Sequence, residues 1–143
     1  MFGTIIKERE IKETVNSALN AYAALLNIFE KFSKMCCDVF KVQGFNGTIK
    51  CVDSKKHVFS IMGFLITVSF RPVSDESGKI SGVIIFKHET TELCRILFDI
   101  SGNVLEQTCS NNSLVSLNDA DGFNSMIYHM IHKFINSEIM KDK

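Results

Sequence analysis

Residues 64–100 read FLITVSFRPVSDESGKISGVIIFKHETTELCRILFDI, and this stretch decides the fold. At a period of two it contains three segments whose apolar residues share one side: Ile66, Val68 and Phe70, then Ile80, Ile84 and Phe86, then Cys94, Ile96, Phe98 and Ile100. Strand side chains alternate between the two faces of a sheet. Three consecutive segments with this alternation therefore predict an antiparallel sheet with one buried face.

The flanking sequence extends this sheet and covers it. Short segments near 48–52, 57–62 and 103–108 raise the prediction to five or six strands in a meander. Pro72, the only proline, is expected to end its strand because proline cannot donate to the ladder. A C-terminal helix is predicted from near Asn118 or Asp119 to about Met140. Together these elements predict one α+β domain over residues 1–143: a long N-terminal helix, the antiparallel meander and the C-terminal helix, arranged as a two-layer sandwich.

The first helix is predicted from about Glu8 to Asp38, without an internal Pro or Gly. Its apolar stripe follows steps of four and three: Ile11, Val15, Ala18, Tyr22, Leu25, Phe29, Phe32 and Cys36. Such a helix is about 46 Å long, whereas a compact chain of this size is roughly 37 Å across. Either it breaks near 16–17 or Asn27, or its end packs on a second copy. We favour a homodimer through this helix, with four interface residues: Val15, Tyr22, Leu25 and Phe29.

Composition excludes several partner classes. The 143 residues carry 16 basic and 16 acidic side chains, a formal net charge of +0. Only three of the basic residues are Arg, and no basic block is longer than Lys55-Lys56, which argues against nucleic acid and anionic membranes. The first residues do not resemble a signal peptide, and no apolar run reaches the roughly 20 residues of a membrane helix. The sequence therefore predicts a cytoplasmic protein that does not bind membranes.

Cysteine and histidine patterns predict no metal and no cofactor. The five cysteines are odd in number and scattered, so in a reducing compartment they are expected to be thiols, mostly buried. His129 and His132 are three residues apart on the polar face of the C-terminal helix, and no acidic or cysteine residue lies one turn away on that face. They are expected to be solvated.

No catalytic motif is present, and the sequence predicts that the chain is not an enzyme. One polar cluster leaves an enzyme as the second alternative. His88, Glu89 and Glu92, with Asp99, are expected at one end of the sheet.

The prediction is therefore a small cytosolic, non-enzymatic protein-binding module of the inhibitor, immunity-protein or chaperone/adaptor type. Its partner would be another protein. Residues 73–79 are polar and turn-rich, which suggests an exposed hairpin tip, and the predicted contact residues there are Asp75, Glu76 and Lys79. The first alternative is a small-molecule binder with an apolar pocket between sheet and helix, lined by Tyr22, Cys94 and Met126.

Overall fold

The computed structural model describes residues 2–42, 49–53, 56–110 and 116–142. Its elements follow one another in this order: α1 Phe2–Val42, β1 Ile49–Asp53, β2 Lys56–Ile61, β3 Phe64–Ser74, β4 Ile80–His88, β5 Thr91–Phe98, β6 Val104–Gln107, α2 Ala120–Ile135 and a 3-10 helix Glu138–Met140. The six strands form one sheet in sequence order, and each pairs antiparallel with the next. The predicted α+β fold with an antiparallel meander is confirmed.

α1 and α2 cover the same face of the sheet. α1 packs on β3 and β4, α2 packs on β5, and the two helices touch. The core between the layers is aromatic: the ring of Phe29 stacks on Phe70 at 5.5 Å, and Phe32 meets Phe86 edge-on at 6.1 Å. The opposite face of the sheet is turned away from these helices. The two-layer arrangement follows from the strand alternation, which supplies one apolar face for both helices to cover.

α1 is longer than expected and unbroken. It has 41 residues, from Phe2 to Val42, and passes through residues 16–17 and 27 as helix. At 1.5 Å per residue it is about 60 Å long. The alternative in which the helix breaks is therefore wrong, and its N-terminal half extends past the sheet.

Two strand predictions need correction. β3 continues through Pro72, which pairs with Gly82 of β4. The described pairing between β2 and β3 ends at Ser69, so Pro72 lies where β3 has lost one neighbour, and a missing N–H is tolerated at such an edge. Ile100, expected on the buried face, lies in the turn after β5 and is 52% exposed.

α2 is shorter than expected. The carboxylate of Asp119 caps its start by accepting from the N–H of Gly122 at 3.2 Å. The helix ends at Ile135 instead of near Met140, because the backbone becomes extended at Ser137 (φ −80°, ψ 163°), whose N–H donates to the carbonyl of Phe134, three residues back. The side-chain amide of Asn136 also donates to the carbonyl of His132. A separate 3-10 turn follows.

Cys94 and Cys109 form a disulfide, which corrects the expectation that the cysteines are thiols. Both are buried in the core. Alternation placed Cys94 inside, but nothing in the sequence placed the loop residue Cys109 beside it. The side chains of Cys37 and Cys51 lie outside the description.

Candidate functional site

The N-terminal half of α1 carries an exposed apolar face. We call residues 7–22 of α1 the projecting segment. Ile11, Val15 and Leu19 are 61%, 50% and 60% exposed. They are four residues apart, so they form a continuous ridge along the helix. Three large apolar side chains in one ridge of a helix form an exposed patch, the kind of surface that marks an interaction site.

The part of α1 that the sheet covers begins at the C-terminal end of the projecting segment. Tyr22 is half-buried, with its ring 6.0 Å from Phe70. From Leu25 onwards the same helix face is covered, and Leu25 and Phe29 are both 0% exposed. Of the four residues predicted for a dimer interface, Val15 is on the surface and Tyr22 lies at the boundary. Leu25 and Phe29 are buried within the chain itself, so the prediction that these two residues form a dimer interface is wrong.

Two hairpin turns of the same design stand beside the projecting segment. Residues 75–79 read Asp-Glu-Ser-Gly-Lys and residues 99–103 read Asp-Ile-Ser-Gly-Asn; we call them the twin turns. In each, one carboxylate oxygen of the aspartate accepts from the backbone N–H groups two and four residues later, at 2.9 Å in every case. The glycine donates its N–H to the aspartate carbonyl, and its φ is 85° in both turns. Gly permits this φ without the steric cost other residues meet, so the repeated sequence fixes both turns in one conformation.

The twin turns change the interpretation of the predicted contact residues. The carboxylate of Asp75 accepts hydrogen bonds from residues of its own turn. These bonds hold the pKa of Asp75 below its ordinary value, and the bond from the Ser77 hydroxyl has the largest effect. Asp75 therefore orders the hairpin tip. Glu76 and Lys79 are exposed, so among the three predicted residues these two present their charges outward.

A groove runs between the projecting segment and the twin turns. Its volume is about 670 Å³. Glu10 and Glu13 line it on the helix side, and Lys79 and Ile100 line it on the sheet side. The floor of the helix side carries small side chains: Thr14, Ser17, Ala18 and Ala21.

The predicted polar cluster is only partly assembled. Glu92 is paired with Arg95, whose Nε donates to it at 2.9 Å; this bond lowers the pKa of Glu92 and raises that of Arg95. The ring of His88 packs against Phe64 at 5.6 Å. Asp99 lies at the opposite end of the sheet, because the whole length of β5 separates it from the β4–β5 turn. The prediction that Asp99 joins this cluster is wrong.

His88 and Glu89 do share a cavity of about 620 Å³. It is open, and its other walls include Lys56, Leu65 and Thr67. Glu92 does not line it. The three residues of the enzyme alternative therefore do not converge on this one cavity.

A smaller cavity, of about 310 Å³, lies on the face of the sheet opposite α1 and α2. Val83 and Leu97 form its apolar floor, and Arg71, Arg95 and Glu106 surround it. None of the residues predicted for a pocket between sheet and helix lines this cavity, the groove or the cavity at His88. Cys94 and Met126 are instead buried in the core.

Among the described residues no group of three or more His, Cys, Asp or Glu side chains could hold a metal ion. His132 is exposed, with its Nε2 3.2 Å from the amide nitrogen of Asn136, and His129 is half-buried. Neither described helix combines the length and hydropathy needed to span a bilayer.

Sequence reasoning predicted a hairpin tip at residues 73–79 but missed that its Asp-x-Ser-Gly pattern recurs at residues 99–102, each time between two apolar strands. It also placed Ile100 on the buried face of the sheet.

No family model, no curated protein and no solved structure matches this chain.

Proposed function

We propose that this chain is a small, non-enzymatic protein-binding module whose contact surface is the projecting segment. The observation that carries the proposal is the ridge of Ile11, Val15 and Leu19, which is 50–61% exposed although all three side chains are large and apolar. Exposed apolar side chains on a helix ridge fit the helix-in-groove mode of protein recognition, in which anchors recur at three- and four-residue spacing.

The charge composition of the chain supports a protein as the class of partner. A formal net charge of +0 and only three arginines favour a protein partner over nucleic acid. Within this class an inhibitor, an immunity protein and a chaperone or adaptor all act through a surface of this kind. A homodimer through α1 belongs to the same proposal, with the interface narrowed to Ile11, Val15, Leu19 and the edge of Tyr22.

The absence of catalysis stays part of the proposal. Two contacts support it. The carboxylate of Glu92 is occupied by Arg95, and the ring of His88 packs against two phenylalanine rings, Phe64 and Phe134. A general base needs a ring nitrogen or carboxylate aimed at a substrate proton, and the engagement of both groups by neighbouring side chains is what supports a non-catalytic role.

The cytoplasm stays the proposed location, and the disulfide is the observation that weighs against it. Disulfides persist mainly in oxidising compartments. Alkylation of thiols in intact cells, followed by mass spectrometry, tests this point. Alkylated Cys94 and Cys109 would support the cytoplasm, whereas a protected pair would indicate an oxidising compartment.

A capture experiment tests the binding function. Tagged wild type and a Val15→Asp variant would be used to capture proteins from the native cell extract, with Asn20→Asp as the matched control. Residue 20 is exposed and lies about 140° round the helix from Val15, at 100° per residue. We expect partners, including untagged copies of the chain, to be retained by the control and lost by Val15→Asp. Equal capture by both variants would contradict the proposal.

Small-molecule binding is a second candidate, favoured by the cavity on the face of the sheet opposite α1 and α2. Its volume of about 310 Å³ is at the lower end for ligand pockets. The apolar floor and the guanidinium of Arg71 suit a small organic carboxylate. A screen of such acids by thermal shift, repeated with Arg71→Gln, tests this candidate; a shift that survives the substitution would exclude this cavity as the site.

A further inference from the structure

We propose that a second copy of this chain occupies the projecting segment in antiparallel orientation, with Val15 at the two-fold axis. This inference rests on the proposed function and specifies the partner. In the pair, Ile11 of one copy lies opposite Leu19 of the other, and Val15 lies opposite Val15.

The spacing of the ridge makes it self-complementary. Ile11 and Leu19 are each four residues from Val15. A two-fold axis perpendicular to the helix at Val15 therefore superposes the ridge on its own pattern and pairs large apolar side chains with one another. Self-complementarity of one surface patch is the condition for a two-fold interface.

The covered half of α1 decides the orientation. In a parallel pair the two helices would face each other along their whole length, including Leu25, Phe29 and Phe32. Those side chains are 0–1% exposed because the sheet of the same chain covers them, so two parallel copies would place both sheets in the same space. In the antiparallel orientation the two exposed ridges face each other, and the two sheets lie at opposite ends of the helix pair.

The antiparallel orientation also brings further surface into contact. The N-terminal end of each helix then runs towards the twin turns of the other copy, where Ile100 is exposed beside the groove. The charges of the projecting segment allow this approach. Its basic and acidic side chains are equal in number, three of each: Lys7, Arg9 and Lys12 against Glu8, Glu10 and Glu13. Two copies therefore meet without net repulsion between these segments.

Cysteine cross-linking tests the orientation directly. Three single variants would be prepared, Ile11→Cys, Val15→Cys and Leu19→Cys, and treated with a short bismaleimide. Wild type, treated in the same way, measures the background from native cysteines, and peptide mapping locates each link. Val15→Cys is the positive control because residue 15 lies opposite itself in either orientation.

We expect a cross-linked heterodimer when the Ile11→Cys and Leu19→Cys proteins are mixed. When either variant is treated alone, we expect no cross-linked dimer above the wild-type background. In the antiparallel pair two copies of residue 11 are about 12 Å apart along the axis, beyond the reach of the reagent. Products from each variant alone would indicate a parallel pair, which overturns this inference and leaves the proposed function intact. A wild type whose mass stays that of a monomer at every concentration, with no product from Val15→Cys, would also overturn the inference, and the capture experiment would still judge the function separately.

Discussion

Replacing Leu19 by Gln should weaken self-association strongly and leave the folded chain unchanged. Leu19 is 60% exposed in the single chain, and full burial of a Leu side chain contributes about 1.5–3 kcal/mol. Covering the exposed part therefore contributes about 0.9–1.8 kcal/mol per copy, or about 1.8–3.6 kcal/mol per dimer. At about 1.4 kcal/mol per tenfold change, the dimer Kd should rise by about 20- to 400-fold.

The assay is a dilution series in sedimentation velocity, with Asn20→Gln as the control on the same helix. Leu and Gln have similar helix propensities, so the free energy of unfolding of the monomer should change by less than about 0.5 kcal/mol. Urea unfolding at a concentration where both proteins are monomeric measures this. A Kd that Leu19→Gln leaves unchanged, or changes no more than Asn20→Gln does, would refute the reasoning.

Three further predictions concern stability. Gly82→Ala should cost about 1–3 kcal/mol, because a Cβ at this position would lie 2.5 Å from the Phe98 ring; urea unfolding within about 0.5 kcal/mol of wild type would contradict this. Reducing the disulfide between Cys94 and Cys109, which are 15 residues apart, should lower the free energy of unfolding by about 3 kcal/mol. The urea midpoint should fall in dithiothreitol, and an unchanged midpoint in protein shown to be reduced would contradict this prediction. Met62→Asn should raise Tm and contribute up to about 1 kcal/mol, because Met62 has a φ of 51° that Asn tolerates better; a lower Tm would show that the turn is not strained.

The architecture could be predicted from the sequence because alternation is a direct consequence of strand geometry. Ile66, Val68 and Phe70 are all buried, as the period of two required. The same rule failed at Ile100, because alternation does not show where a strand ends. The aspartate at 99 starts a turn there, and its sequence, shared with residues 75–79, was the available signal.

The candidate site could be predicted only in part. The apolar stripe of α1 has the same period from Ile11 to Cys36, so the pattern could not distinguish the half that the sheet covers from the half that it leaves exposed. That division depends on the position of the sheet along the helix, a tertiary property. The predicted interface residues accordingly fell on both sides of the boundary, with Val15 outside and Phe29 inside the core. The disulfide had no local signal either, because Cys109 reaches Cys94 only after β6 has folded back.

Hydrogen exchange measured at increasing protein concentration tests the central claim most directly, because it shows which amides a partner protects. In the single chain the ridge of the projecting segment is 50–61% exposed, so its helix should open locally and exchange quickly in the monomer. The account predicts that residues 7–22 become protected as dimers form, while residues 25–36, already packed on the sheet, do not change. Association without added protection in residues 7–22, or with protection confined to another surface, would contradict it.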